Sequence, residues 1–412
     1  MRHDDLGCQK IRVLDVVDGL AGRFHAQLVG VHVHGGQLRA GDAGEQRVVE
    51  GHDGKVFRDA QPQLAAELFQ HHSKDVVADQ HGGGAVQRGE QGLQRFFVSI
   101  VQGVDFQFKF DEQWRKLKAY ANSKGIRIIG DIPIYVPLDS ADVWSHPENF
   151  QLTRTRRPRV VAGCPPDGFN ANGQYWGNPI YDWERMEQDG FSWWMRRLRA
   201  AGENFDVVRI DHFRGIESYW AIPAVNRTAR KGEWIQGPGM KLVRAIRENC
   251  PDTDFIAEDL GFLTPEVQKL VKESGFPGMK VLEFAFDPRE PSNYLPDRYP
   301  ENCICYTGTH DNETLIQWCE GLDAECDAYA REYLGIGAAD DLADAIIEAG
   351  MQSRAQLFIM QMQDYLRLGK EARMNEPGRL LPSNWRWRML PGAANDALAA
   401  KIAGLTARAN RV

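Results

Sequence analysis

The sequence predicts an α/β fold built on a parallel sheet, and three observations predict it. From about residue 105 onward, helix-like and strand-like segments alternate, which is the order of a parallel sheet. The strand-like runs are nearly continuous apolar stretches, as expected when both sheet faces are covered. One such run after another ends in a carboxylate, at Asp131, Asp211, Glu258 and Asp311. At 412 residues the chain is too long for one ordinary core, but a single α/β barrel with insertions reaches this size.

The elements follow in order. "QWRKLKAYANSK" carries Trp114, Leu117 and Tyr120 at helical spacing, and Gly125 ends that helix. "IRIIGDIPIYV" is the next strand. "SWWMRRLRAAG" reads as a helix and "FDVVRID" as a strand. "MKLVRAIREN" is again a helix and "DFIAEDLG" a strand. Thr264 and Pro265 supply the N-cap and first turn of another helix. "GMKVLEFAF" and "CICYTGTHD" are the strands after it.

Composition sets the class. Hydrophobic residues are 43% and charged residues 26%, ordinary for a globular protein. The net charge of -8, with no basic tail and no nucleic-acid-binding motif, argues against a nucleic-acid partner. No apolar stretch approaches the roughly 20 residues a membrane helix needs. The opening "MRHDDLGCQK" has no apolar core of a secretory signal. The seven cysteines are scattered, without a second pair at zinc-site spacing, and read as free thiols of a cytosolic protein. Cys303 and Cys305 share one strand face.

Residues 1–104 are unlike the rest. They contain no Tyr, Trp, Asn or Thr, a single proline at Pro62, and eight of the eleven His. A globular domain draws on Asn and Thr for caps and turns. No sustained period of 2 or 3.6 appears. We read this segment as wrong-frame or wrong-strand translation joined to a genuine gene; the alternative is a small His-rich domain of unusual composition. Tryptic peptides from the native protein decide between the two. The histidine spacings "HVH" and "HHS" fit no metal-ligand pattern.

Carboxylates at the C-terminal ends of parallel strands are not core residues. They converge on one rim, where barrels carry their active sites. Several carboxylates without an evident metal suit glycosyl transfer. One attacks the anomeric carbon, and a second, protonated by a raised pKa, serves the leaving oxygen. The two must stand about 5 to 5.5 Å apart for retention of configuration, which strands about 4.8 Å apart can supply. A third, Asp131 among the candidates, can hold sugar hydroxyls. Arg209 shares a strand face with Asp211 and can keep it ionised by charge pairing. Trp144, Tyr175, Trp176, Trp183 and Tyr219 sit in polar, Gly- and Pro-rich stretches where sugar rings could stack, although aromatics more often pack cores.

These stretches resemble a known family. "GIRIIGDIPIYV", "CPPDGFNANGQYWGNPIYDW", "FDVVRIDHFRGIESYW", "FIAEDLGFLTPEV", "GFPGMKVLEFAF" and "YTGTHDNETLIQW" resemble, in order, the sequence blocks of 4-alpha-glucanotransferases. This is the amylomaltase or disproportionating-enzyme family, glycoside hydrolase family 77 of the alpha-amylase clan. The likeness runs from about residue 106 to about 390 and takes in "EARMN" and "NWRWR". It implies a (β/α)8 barrel with inserted subdomains, incomplete at its N-terminal side, where residues 1–104 stand in place of the first two strands. It implies retaining transfer of an α-1,4-glucan segment to the 4-hydroxyl of a glucose or glucan acceptor. By position, Asp211 matches the nucleophile, Glu258 the general acid/base and Asp311 the carboxylate that stabilises the transition state. Arg209, His212 and His310 match sugar-contacting neighbours; a donor to a backbone carbonyl is the other reading of the two histidines. Asp167 lies on a loop that covers the acceptor side in the family. No metal and no organic cofactor are implied. "QLTRTRRPRVV" is more basic than the family's usual turn, and "NEPGRLLPSNW" departs from its Pro-Ser-Thr turn.

Three readings follow. The chain is a cytoplasmic 4-alpha-glucanotransferase of maltose and maltodextrins, an inactive N-terminally defective fragment, or an α-glucan hydrolase in which water replaces the acceptor.

Overall fold

The computed structural model describes residues 106–166, 171–261, 263–290, 292–379 and 381–411. Residues 1–104, which the sequence sets apart and where the first two barrel strands were expected, and Asp167 lie outside the described residues. The chain divides into two units, one holding Trp114–Val412 and the other His32–Gln113. Of the second, only the helical residues 106–113 are described.

Among the described residues, six strands paired in parallel in two groups of three organise the larger unit. β1 (Ile129–Pro133), β4 (Val207–Asp211) and β7 (Asp254–Ala257) pair in the order β1-β4-β7. β8 (Gly278–Val281), β9 (Cys303–Tyr306) and β10 (Leu357–Ile359) pair in sequence. The Ala257 N–H donates to the Pro277 carbonyl at 2.9 Å, where the two groups of strands adjoin. One face of these strands forms a continuous apolar layer of Val207, Ile256, Met279, Val281, Ile304, Tyr306 and Ile359. Alternate residues point the other way. Val208, Ile210, Phe255 and Ala257 pack with Trp194, Leu198, Leu242, Val243 and Ile246 of the helices Ser192–Asn204 and Met240–Asn249. Cys303 and Cys305 likewise face Ile346, Ile347 and Met351 of the helix Leu342–Gln352. An inner layer that runs on across both groups, inside an outer layer of helices, is the arrangement of an α/β barrel.

Two insertions join in one subdomain. β2 (Val160–Cys164) and β3 (Gln174–Pro179) lie between β1 and β4 in sequence; β5 (Ser218–Pro223) and β6 (Glu233–Gln236) lie between β4 and β7. Together they form an antiparallel sheet in the order β3-β2-β5-β6. Both insertions leave the C-terminal ends of their barrel strands, so the subdomain is built where the candidate carboxylates emerge.

Local chemistry explains most boundaries. The Thr264 hydroxyl accepts from the Val267 N–H, Pro265 occupies the first turn, and Gly275 closes the helix at φ +73°. Three expectations need correction. Asp131 is the third residue of β1, not its end, because the apolar run continues past it to Val136 and hides the strand's limits. "GMKVLEFAF" is a strand only to Val281; Leu282–Phe284 turn as a 3-10 helix, which sends Glu283 into the protein. The helix at 106–123 buries Trp114 and Ala121, while Leu117 and Tyr120 are exposed. Its anchored side runs through Lys118, whose ammonium donates to the carbonyls of Glu203 and Phe205 and pairs with Asp206. A lysine stem lies along the surface with its charged head satisfied, so it serves where an apolar residue was expected.

Candidate active site

The site begins with a register. In the β1–β4 pair, Asp131 lies opposite Arg209 and Pro133 opposite Asp211. In the β4–β7 pair, Ile210 lies opposite Ala257, and the Glu258 N–H donates to the Ile210 carbonyl at 3.1 Å. Asp211 and Glu258 therefore leave adjacent strands at the same level. Asp131 stands one layer deeper, at the level of Arg209.

Arg209 ties these groups together. It is buried, and its Nη1 donates to Asp131 Oδ2 at 2.5 Å and lies 3.1 Å from Asp211 Oδ1. Its Nε points at the Met279 sulfur, 3.3 Å away. A buried guanidinium between two carboxylates is a paired charge, which resolves the cost of placing Arg209 inside an apolar strand.

Glu258 is the more enclosed carboxyl: it is buried, whereas Asp211 is only half-buried. Its Oε2 accepts from the His212 N–H at 2.6 Å and its Oε1 from the Leu260 N–H at 2.8 Å. Burial pushes its pKa above the usual carboxylate range; Arg209 opposes that rise and the Asp211 charge adds to it. Asp211 is raised as well, by burial first, with Arg209 pulling it down and Asp131 and Asp311 pushing it up. Charge pairing with Arg209 is thus present, as the sequence implied, but it works against a larger desolvation effect.

His212 follows Asp211 in the left-handed region at φ +52°, a conformation His tolerates better than most residues. The turn aims its N–H at Glu258. Burial and the nearby Arg214 lower its ring pKa to about 3, so the imidazole is neutral. The ring meets Trp176 edge to face, with centroids 4.8 Å apart. Gly215 makes room for it, since a Cβ there would lie 2.9 Å from His212 Cδ2.

Asp311 stands on the loop after β9 and is 41% exposed at its side chain. Asn375 Nδ2 donates to its Oδ1 at 2.6 Å and Arg373 Nη2 to its carbonyl at 3.0 Å. His310 Nε2 is 3.5 Å from its Oδ2, and the His310 ring lies 4.9 Å from that of Trp385. The charges of Asp311 and His310 act on Asp211, raising and lowering its pKa respectively, so this loop shares the field of the β4 end. Asn375, Arg373 and Trp385 were assigned no role from sequence; their only signal was their place in "EARMN" and "NWRWR". Of the aromatic candidates, Trp183 and Tyr219 are core residues, while Trp144, Tyr175 and Trp176 are exposed. Among the described residues no group of three or more His, Cys, Asp or Glu could hold a metal ion.

The family model described as 4-alpha-glucanotransferase matches residues 86–393. The chain belongs to the 4-alpha-glucanotransferase family. It is 47% identical over 325 residues to a 4-alpha-glucanotransferase of Clostridium butyricum, covering 77% of this chain and 66% of that one. It is 46% identical over 307 residues to the 4-alpha-glucanotransferase of Streptococcus pneumoniae serotype 4, covering 74% and 61%. The chain thus spans somewhat less than two-thirds of the length of these family members. Among solved structures it is similar to an amylomaltase from Streptococcus agalactiae in complex with acarbose. There the TM-score is 0.74 at 35% identity, covering 87% of this chain and 76% of that one. The family's barrel accounts for the six parallel strands and for their C-terminal ends as the site's location. No helix among the described residues is long and apolar enough to cross a membrane.

Proposed function

We propose that this chain transfers α-1,4-glucan segments from a maltodextrin donor to the 4-hydroxyl of a glucose or glucan acceptor, with retention of configuration. The observation that carries the reading is the pairing of Asp211 and Glu258 on adjacent strand ends, one bridged to Arg209 and the other enclosed with a raised pKa. Burial raises both carboxyls, but only Asp211 is salt-bridged to Arg209, which suits the attacking carboxylate, and Glu258 is the more enclosed, which suits the proton donor.

In this reading Asp211 attacks the anomeric carbon as the bond to the leaving glucan oxygen breaks. Glu258 gives its proton to that oxygen. A covalent sugar ester on Asp211 remains. The acceptor 4-hydroxyl then attacks the same carbon, its proton passes to Glu258, and Asp211 leaves as carboxylate. Asp311, fixed by Asn375 and Arg373, holds ring hydroxyls as the sugar distorts. His212 and His310 offer ring N–H groups to the same sugar, and Trp176 offers a stacking face. Asp131 acts through Arg209, and Asp167 belongs to the acceptor side. The named groups are organic acids, amides and rings, and the reaction needs no cofactor from them. The partners are maltooligosaccharides and glucose. We place the protein in the cytoplasm, a reading supported by six free thiols among the described residues.

The test is incubation of the purified chain with maltotriose. A ladder of longer maltodextrins with free glucose is expected. Maltose and glucose alone would indicate water as acceptor, and an unchanged maltotriose peak would sink the reading.

A further inference from the structure

Behind Asp311 lies a buried carboxyl that the reaction does not use. Glu283 is 8% exposed, on the 3-10 turn after β8. Its backbone N–H donates to the Thr307 carbonyl at 3.2 Å. The Glu313 N–H faces its carboxyl and favours the charged form, but burial outweighs it. Glu283 Oε1 is buried without a hydrogen-bond partner among the described residues. The carboxyl lies flat against Gly308, where a Cβ would come 2.4 Å from Oε1. One side chain therefore touches the beginning and the end of the turn 307–313, and Asp311 is carried between them.

Its neighbours hold the same turn. Asp364, also buried, accepts from Thr307 Oγ1 at 2.7 Å and from the Leu315 N–H at 2.8 Å. Gln361 Nε2 donates to the carbonyls of Thr309 and Glu313 at 3.1 and 2.9 Å. Arg373 reaches Glu313 Oε1 at 3.2 Å as well as the Asp311 carbonyl. The titratable and charged groups facing Glu283 are Asp364, Glu313, Arg373 and, more weakly, the Cys319 thiol. Asp364 has its own hydroxyl and N–H donors. Glu283 has one facing N–H and an orphaned oxygen. Two buried carboxylates at close range do not both ionise cheaply, and the one with fewer donors keeps the proton.

We propose that Glu283 is a proton-bearing strut: as a neutral acid it braces the turn 307–313 and so positions Asp311 for the reaction. It is a positioning residue, since it is buried and acts through the turn that carries Asp311. An anionic Glu283 would set an uncompensated charge against Gly308 and loosen the turn. The burial of the group raises its pKa well above the usual range, in the direction the geometry requires. The kinetic consequence rests on the transfer reading above; the protonation state does not.

The experiment compares wild type, E283Q and E283A in maltotriose disproportionation and by infrared difference spectroscopy at neutral pH. Glutamine keeps the shape and the neutrality, so E283Q should keep kcat within about twofold, whereas E283A should lose on the order of 10- to 100-fold in kcat with KM little changed. The wild-type minus E283Q spectrum should show the carbonyl band of a protonated carboxylic acid. An E283A enzyme with wild-type kcat, an E283Q enzyme as impaired as E283A, or a carboxylate signature in place of the acid band would each overturn the proposal. If E283A fails to fold, the E283Q kinetics and the spectrum still decide. If wild type itself makes no ladder, the transfer reading fails, and the spectrum alone decides whether Glu283 holds its proton.

Discussion

Asp131 and Arg209 lie directly opposite each other in the register of two neighbouring parallel strands, and the carboxylate holds the guanidinium at 2.5 Å. The pairing turns strand geometry into site geometry. Arg209 cannot swing away from Asp131, so its Nη1 stays 3.1 Å from Asp211. Asp131→Ala should therefore act twice. Loss of a hydrogen bond to a charged group costs about 1.5 to 3 kcal/mol of stability, and Arg209 drifts relative to Asp211. Denaturant unfolding should show the first effect and a lowered kcat the second. An unchanged kcat would mean that Asp211 needs no help from the deeper layer.

If Asp211 is the nucleophile we propose, Asp211→Asn removes the attacking oxygen while preserving the side-chain shape. Transfer on maltotriose should fall on the order of 10⁴-fold or more, the scale of deleting a nucleophile. The fold should survive, because Arg209 retains Asp131. A variant that still builds the maltodextrin ladder would require a different attacking group.

Much of this was legible in the sequence, and the rest has physical causes. The helix Met240–Asn249 and the cap at Thr264 follow from local rules that act within one turn. Asp211 and Glu258 were legible because each ends an apolar run. Asp131 was misplaced because "IRIIGDIPIYV" is apolar on both sides of it, and burial continues beyond the last paired residue. Asn375 reaches Asp311 across 64 positions of sequence, and no local pattern reports such a contact. The inward turn of Glu283 was hidden for a related reason: "VLEF" scans as a strand, and its 3-10 turn is held by the Thr307 carbonyl, distant in sequence.

The pH profile of transfer should reflect Glu258. In the proposed mechanism activity needs Glu258 protonated and Asp211 ionised. Because burial raises Glu258 above its ordinary value of about 4.3, the proton stays on into less acidic solution. kcat/KM should therefore fall on the alkaline side with an apparent pKa clearly above that ordinary value. Glu258→Gln should abolish this limb along with most activity. Arg209→Met removes the cation that lowers both carboxyls, so both limbs should move to higher pH. A profile unaltered by Arg209→Met would show that the guanidinium does not set these protons.

Gly215→Ala tests the packing around His212. The added methyl would lie 2.9 Å from His212 Cδ2 and 3.0 Å from Ile134 Cδ1, and Ile134 is buried. Overpacking of this kind costs about 1 to 3 kcal/mol. The ring is the softer neighbour, so it should tilt against Trp176 and carry its backbone N–H away from Glu258. Weaker maltotriose turnover with a modest loss of Tm is the expected outcome. Full turnover with only a lower Tm would place the strain in Ile134 instead.

Glu283 also predicts how stability depends on pH. Its folded pKa lies well above the unfolded one, so in the window between them the folded state binds a proton that the unfolded state has released. Stability must then fall as pH rises through that window, starting near the ordinary carboxylate value of about 4.3. Glutamine in place of Glu283 keeps the contact with the Glu313 N–H and has no proton to lose. E283Q should match wild type in acid solution and exceed it at pH 8, with the gap opening steadily between. Asp364, also raised by burial, contributes its own slope to both proteins and cancels in the difference. Thermal unfolding of the two proteins across this pH range measures the gap directly. Parallel curves with a constant offset would mean that Glu283 ionises in the folded protein as readily as in the unfolded chain, and that the partnerless oxygen beside Gly308 bears a full negative charge.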